Sequence, residues 1–423
     1  MKQIRFAFII FAIFIFSPFG LRAEEILSWQ DCIKEAAKNH PDLIAAQEEV
    51  NQAVAEKKIT ASALFPQIDA NLGASTAKTA GTSGSSTADS YSYGVSGTQL
   101  IFDGTKTISN VRAASEQIQA SQQNYKFISV GVRYSLRSAF IDLLKTQEML
   151  KVAQEIYEIR KQNYELITLR YYSGLDHKGA LLTAEADLAA AKYDIAQAQR
   201  NVEVARGSLV KEMGRKDMTK FWVKGDFTVR SDLITNPDYE ALIKNNPSLK
   251  QIIAQKNAAE FSLKAAYASY APNLTGTAGI GESGAKWPPK GEGYNLGAAL
   301  SMPIFEGGLR SAQVAQAKAY LNQLKSNERS TRDSLILSLQ QGWAVLKDAL
   351  DNVGVQKQLL QANEERSKIA QMQFSTGFIT FDNWTIIEDN LVKSKRSYLN
   401  AEAAALLAEA DWIKAKGETL EYE

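Results

Sequence analysis

His40, His177 and Cys32 are the residues of this 423-residue chain best suited to proton transfer, nucleophilic attack or metal ligation, and the chain has no further histidine or cysteine. Their spacing fits none of these chemistries, because three such residues far apart in sequence make no metal-ligand or catalytic pattern. His40 precedes Pro41 and reads as a helix-boundary residue. His177 lies near a glycine turn, where a contact would titrate near neutral pH. Cys32 falls inside a helical pattern and reads as a small buried residue, and a lone thiol excludes an intrachain disulfide. No glycine-rich loop follows a strand to cradle phosphate, and the carboxylates spread along helical patterns as solvated charges. Lys and Arg number 48 against 47 Asp and Glu, a net charge of +1, which argues against a nucleic-acid partner. The chain therefore reads as no enzyme, with no cofactor and no metal.

The longest elements dominate the pattern. Between Gly104 and Ser173 there is no proline and one internal glycine, Gly131. Val111, Ile118, Tyr125, Val132 and Ala139 recur every seven residues, and Leu136, Leu143, Leu150, Tyr157, Tyr164 and Tyr171 form a second ladder. This spacing places both ladders on one helix face, as in a coiled-coil seam. About 70 residues at ~1.5 Å rise make a rod of roughly 100 Å. The rod occurs twice. A shift of 203 carries Leu143 to Leu346, Phe102-Asp103-Gly104 to Phe305-Glu306-Gly307 and Gly174 to Gly377. Upstream the shift is 206, carrying Asn39 and Pro41 to Asn245 and Pro247. The chain is a duplicated domain.

At the start, Lys2 and Arg5 precede the apolar run Phe6 to Phe16, which reads as a secretory leader over residues 1–23 ending at Ala23. Ser28 and Asp31 form a capping-box pattern that opens a short helix. Pro41 starts a second helix, expected to run to about Ala63. From Gln67 the period changes to two. Ile68, Ala70, Leu72 and Ala74 alternate with polar residues, and so do Tyr91, Tyr93 and Val95. The second copy repeats this from Leu274 to Ile280 and from Tyr294 to Leu300. The segments Thr76–Ser90 and Glu282–Glu292 are expected to be structureless loops facing outside the cell. Strands with one apolar and one small polar face suit a membrane barrel with a wet lumen. Four strands cannot close around a pore, and an open edge in lipid leaves backbone groups unpaired, so other copies must complete the barrel.

The order of these motifs, all repeated, resembles the TolC family of outer-membrane factors. They are Asn39–Leu43 and Asn245–Leu249, Phe102-Asp103-Gly104 and Phe305-Glu306-Gly307, Ser173-Gly174-Leu175 and Thr376-Gly377-Phe378. The resemblance covers essentially the whole chain after the leader. It implies a mixed fold, a transmembrane β-barrel continued by a long α-helical coiled-coil barrel, with two β-hairpins and two long helices per chain and a homotrimer to complete it. It places the first repeat at 24–213, a linker at 214–236 in the equatorial belt, the second repeat at 237–417 and a tail at 418–423. It implies an outer-membrane channel-tunnel that extends into the periplasm of a Gram-negative bacterium and is surrounded by outer-membrane lipid. Its partners would be a periplasmic adaptor and an inner-membrane RND or ABC transporter, in efflux or type I secretion of small molecules or proteins. A partner-free porin and a trimeric coiled-coil adhesin remain the alternatives. The adaptor would dock at the tip turns, on Gly174, Leu175, Gly377 and Phe378. A gate closed by polar contacts would draw on Arg170, Asp382, Asn383, Glu388 and Asp389, with Glu185, Asp187 and Lys178 nearby. Some members carry acidic rings where this chain has Asn383 and Ile386, which departs from a cation-binding constriction.

Overall fold

The computed structural model describes residues 25–81, 84–217, 220–227 and 237–422. The leader expected over residues 1–23 and residues 218–219 and 228–236 of the linker lie outside them. Strand β1 (Glu25–Leu27) leads into α1 (Trp29–Asn39), where Ser28 and Asp31 do form a capping box. Helix α2 (Pro41–Ser62) has proline in its first turn and His40 as its N-cap, the imidazole Nδ1 accepting from Asp42 N–H at 3.2 Å. The chain then runs through β2 (Gln67–Gly81), β3 (Gly84–Phe102), α3 (Lys106–Tyr172) and α4 (Lys178–Met213). After β4 (Phe221–Val223) and the short α5 (Tyr239–Ile243), the plan repeats. It comprises α6 (Pro247–Ala268), β5 (Asn273–Gly284), β6 (Gly291–Ser301), α7 (Leu309–Ser375) and α8 (Phe381–Lys416). The two rods are both 67 residues long and the two returning helices both 36.

The four long strands form one antiparallel sheet, in the order β2-β3-β5-β6. Among the described residues, the outer edges of β2 and β6 have no strand partner. The pairing puts Ala70, Val95, Ile280 and Tyr294 in one row and Asn71, Gly94, Gly281 and Gly293 in the next, so apolar and small polar faces alternate through the sheet. Ile68, Leu72, Leu296 and Leu300 stand exposed on the apolar face. Among the described residues no helix is long and apolar enough to cross a membrane.

The expected outer loops are shorter than the sequence suggests. Thr76 to Gly81 pairs with Gly84 to Asp89, so most of the segment Thr76–Ser90 is a two-stranded ribbon prolonging the hairpin. The second loop shrinks to 285–290, because Glu282 and Ser283 pair with Glu292 and Gly291. Ser, Thr, Ala and Gly in that ribbon show no apolar alternation, since a ribbon standing in water has no apolar face to turn toward lipid.

Helix α3 is flanked on both sides, by α2 and α4 from its own half and by α6 and α8 from the other. Helix α7 touches only α5, α6 and α8 among the well-packed pairs. Sixteen residues of α3 are buried against seven of α7, so α7 is an edge of the helical layer. On the opposite edge lie α2 and α4.

At mid-height, β1 pairs in parallel with β4 beside α3, and Leu27, Cys32, Leu136, Phe140, Leu143, Leu209 and Phe221 share one apolar core. Burial there pushes the Cys32 thiol up to about 12. Arg215 fastens this belt by ion pairs to Glu25, at 3.0 Å, and to Glu35, which raise its already high pKa further. Each returning helix ends here on a glycine pressed against an Asn-x-Pro turn. Gly214 has φ +70, and a Cβ on it would stand 2.5 Å from the Asn39 carbonyl oxygen. Gly417 has φ +79, and its Cβ would stand 2.7 Å from Pro247 Cδ. Gly214→Ala and Gly417→Ala combine left-handed strain with overlap, and each is expected to cost about 1–3 kcal/mol. Thermal unfolding followed by helical circular dichroism should show both melting below the parent. Gly131→Ala in α3, where a Cβ meets nothing within 4 Å, should melt at or above it.

Candidate functional site: the helical tip

Both rods end in the same glycine turn. Gly174 has φ +75 and Gly377 has φ +81. Gly174 N–H donates to Tyr171 O at 3.0 Å and Leu175 N–H to Arg170 O at 2.8 Å. Gly377 N–H donates to Phe374 O at 3.1 Å and Phe378 N–H to Gln373 O at 2.8 Å. This double bond pattern is a Schellman motif, in which the residue after the glycine usually folds back onto the helix. Here Leu175 stays 66 % exposed and Phe378 83 % exposed. His177 then caps α4, its Nδ1 accepting from Ala180 N–H at 3.1 Å. Both histidines are thus helix caps.

Behind the turns lies an apolar plug. Phe374 stacks on Trp384 at 4.5 Å between ring centroids, and Phe381, Ile167, Ala180 and Ala184 close around them. Arg170 holds Asp176 at 2.6 Å and lays its guanidinium 4.7 Å from the Phe374 ring centroid, bridging the two hairpins by a cation–π contact. Its carboxylate partner is therefore in its own turn rather than among the acids of α8.

Those acids are used differently from one another. Asp389 pairs with Arg160, and the same guanidinium meets Asp187 at 3.6 Å. Arg160 thus ties α8 and α4 across α3. Burial, the largest cause, and the nearby Asp389 lift the Asp187 carboxyl above the ordinary aspartate range, with Arg160 opposing them. Glu388 is buried and accepts from Ser367 Oγ at 2.5 Å, joining α8 to α7. Asp382 lies in the first turn of α8, and Asn383 N–H donates to the Thr380 cap at 3.4 Å. Glu185 and Lys178 are exposed. One heptad along from Asp187 and Asp389, Arg396 reaches Asp194 at 2.5 Å, a second rung between α8 and α4. Sequence reasoning passed over Arg160. The readable signal was its place four heptads after Val132 on the first ladder, a charge where the seam calls for an apolar side chain.

The model of the outer membrane efflux protein family matches residues 32–215 and 239–418. Outer membrane efflux protein BepC of Brucella suis biovar 1 is 22 % identical over 76 % of this chain and 70 % of its own length. Pyoverdine export outer membrane protein OpmQ of Pseudomonas aeruginosa is 23 % identical over 91 % of this chain and 84 % of its own. In fold, the chain superposes on the Campylobacter jejuni CmeC outer membrane channel with TM-score 0.82 at 19 % identity, covering 93 % of this chain and 87 % of that one. The Neisseria gonorrhoeae MtrE channel in its open state gives 0.81 at 18 %, covering 93 % and 90 %. The paired strands, the twin rods and the duplicated family match agree, and the chain belongs to the outer membrane efflux protein family, as an efflux channel of the Gram-negative outer membrane.

Proposed function

We propose that three copies of this chain assemble into a channel-tunnel that takes cargo from a periplasmic adaptor and an inner-membrane RND or ABC transporter to the exterior. The open edges of β2 and β6 carry this reading. Unpaired strand edges are not tolerated in lipid, and three four-stranded sheets joined edge to edge make a twelve-stranded closed barrel. The helical layer opens on the same two sides, α2 and α4 following the β2 edge and α7 following the β6 edge. The two tip turns per chain would give six similar adaptor contacts around the rim. The small polar face of the strands, with Asn71, Gly94, Gly281 and Gly293, would line a permissive lumen. A partner-free porin has no use for two 67-residue helices, and an adhesive stalk has no use for their return.

Native mass measurement in detergent is expected to give a trimer that conducts in planar bilayers, and in-cell cross-linking from position 175 or 378 should capture an adaptor. A stable, conducting monomer or dimer would sink the trimeric reading. A trimer that supports efflux and captures no adaptor from either tip position would sink the docking reading.

A further inference from the structure

Helix α3 has one long face that neither the belt nor a neighbouring helix covers. The belt core holds Phe140, Leu143 and Leu144, and Ile141 packs with Ala403 and Leu406 of α8. At ~100° per residue, Asp142, Met149 and Arg160 lie roughly 180–200° round the helix from Phe140. On that side α4 and α8 reach toward each other across α3. Arg160 meets Asp187 and Asp389, and Arg396 of α8 holds Asp194 of α4 at 2.5 Å. A layer whose flanking helices approach on one face is concave there. In the tunnel proposed above, the belt is therefore on the outside, and Asp142 and Met149 stand on the inner wall.

On this wall α3, α4 and α8 enclose a groove of about 460 Å³, within the size range of small-molecule sites. We propose that the groove is a binding site for small amphipathic zwitterions in transit. The proposal rests on the tunnel reading and adds a chemistry for one class of cargo.

Four charged side chains line the groove. Asp194 and Arg396 hold each other. Asp142 and Lys145 sit one helical turn apart, a spacing at which opposite charges readily bond, yet neither makes an ion pair among the described residues. The groove thus offers a carboxylate and an ammonium that lack protein partners. A simple cation or anion would meet one of them and face repulsion from the other. A zwitterion meets both, its ammonium on Asp142 and its carboxylate on Lys145, and Met149 and Val204 offer apolar surface to its body. The rod itself does not require this pair. The repeat shift of 203 carries Asp142 to Val345 and Lys145 to Asp348, so the second half has no counterpart. Along α3 the groove ends at Ala153, about 10 Å before Arg160 on the way to the tip. A ligand entering from the barrel therefore reaches it without passing that tie.

Current blockade in planar bilayers tests the site, with the dipeptide phenylalanyl-leucine added on the barrel side. Its N-acetyl form lacks the ammonium, and its C-terminal amide lacks the carboxylate. In the parent trimer the zwitterion is expected to dwell about three- to fivefold longer than either capped form. Asp142→Asn should abolish the advantage over the N-acetyl form and keep that over the amide. Lys145→Gln should do the reverse. Trimer yield should hold in both, because neither side chain has a protein partner to lose. Asn201→Cys, on the α4 wall of the groove in a Cys32→Ser background, should react with a charged thiol reagent from the barrel side and lower the current. Equal dwell times for the three peptides in the parent, or losses that ignore the pairing of groups, would overturn the site. So would a current that is blind to reagent at Asn201→Cys. In each of these cases a conducting trimer leaves the tunnel standing. If no conducting trimer forms, tunnel and site fall together.

Discussion

Gly174→Pro and Gly377→Pro are expected to abolish efflux while the barrel still inserts and trimerises. Proline fixes φ near −65°, whereas these glycines sit at φ +75 and +81. It also removes the N–H that bonds Tyr171 or Phe374. A Cβ at either glycine meets nothing within 4 Å, so the damage is confined to the turn and spares the plug behind it. The strands lie at the other end of a rod of roughly 100 Å, so insertion should not feel the change. Alanine at the same sites should be milder, with a left-handed penalty of about 1 kcal/mol. Leu175→Asp and Phe378→Asp touch no core, and their expected loss of efflux would come through an apolar partner contact alone. Drug susceptibility of cells carrying each variant, beside trimer yield from the membrane, is the measurement. Four trimeric variants with full efflux would place the docking surface elsewhere.

Arg160→Ala is expected to raise conductance in planar bilayers, and Arg160→Glu to raise it further. The guanidinium holds Asp187 of α4 and Asp389 of α8 together across α3. Removing it leaves two carboxylates facing each other, and glutamate makes three. Asp389 is largely exposed, so its arm of the tie should contribute no more than about 1 kcal/mol to overall stability. Arg160→Lys should fall between, because an ammonium cannot offer a planar fork to two carboxylates. Acid should act in the same direction as the substitutions. The Asp187 carboxyl titrates above an ordinary aspartate, so falling pH neutralises it early. Its protonation relieves a burial cost and favours the fold at that group, while its attraction to Arg160 is lost. Conductance of the parent should therefore rise on acidification more than that of Asp187→Asn. Unchanged conductance in both Arg160→Ala and Arg160→Glu would show that this tie does not restrict passage.

The seven-residue ladders and the repeat shifts made the rods, their turns and the paired hairpins legible, because each rests on a period that side-chain burial enforces. What escaped lacked such a period. The ribbon beyond Thr76 is held by backbone pairing with no buried face, so its Ser, Thr, Ala and Gly residues read as loop. Strand β1, Glu25–Leu27, is three residues long and exists only because β4 lies beside it, nearly 200 residues away in sequence. Helix α5 has five residues. At the tip, the glycines and exposed apolar residues were visible as types at a turn. The ion-pair partners were not, because pairing between α3, α4 and α8 depends on which helices the fold sets side by side. The second half does not repeat the Arg160 tie, since its place on α7 is taken by Asn363.

The strand order carries a consequence for how the chain reaches this structure. Each hairpin and each rod-and-return pair joins neighbours in sequence, so these units close small loops and can form quickly. The β3–β5 pairing joins Val95 to Ile280, well over a hundred residues apart, with an entire rod and its return between them. Closing that long loop costs more chain entropy and is the slow step of the sheet. Until it happens, four long strands with exposed Ile68, Leu72, Leu296 and Leu300 stand in water as open edges. The helices face the same closure, because α6 and α8 of the second half pack on α3 of the first, so docking of the two halves is one late event that joins sheet and helical layer together.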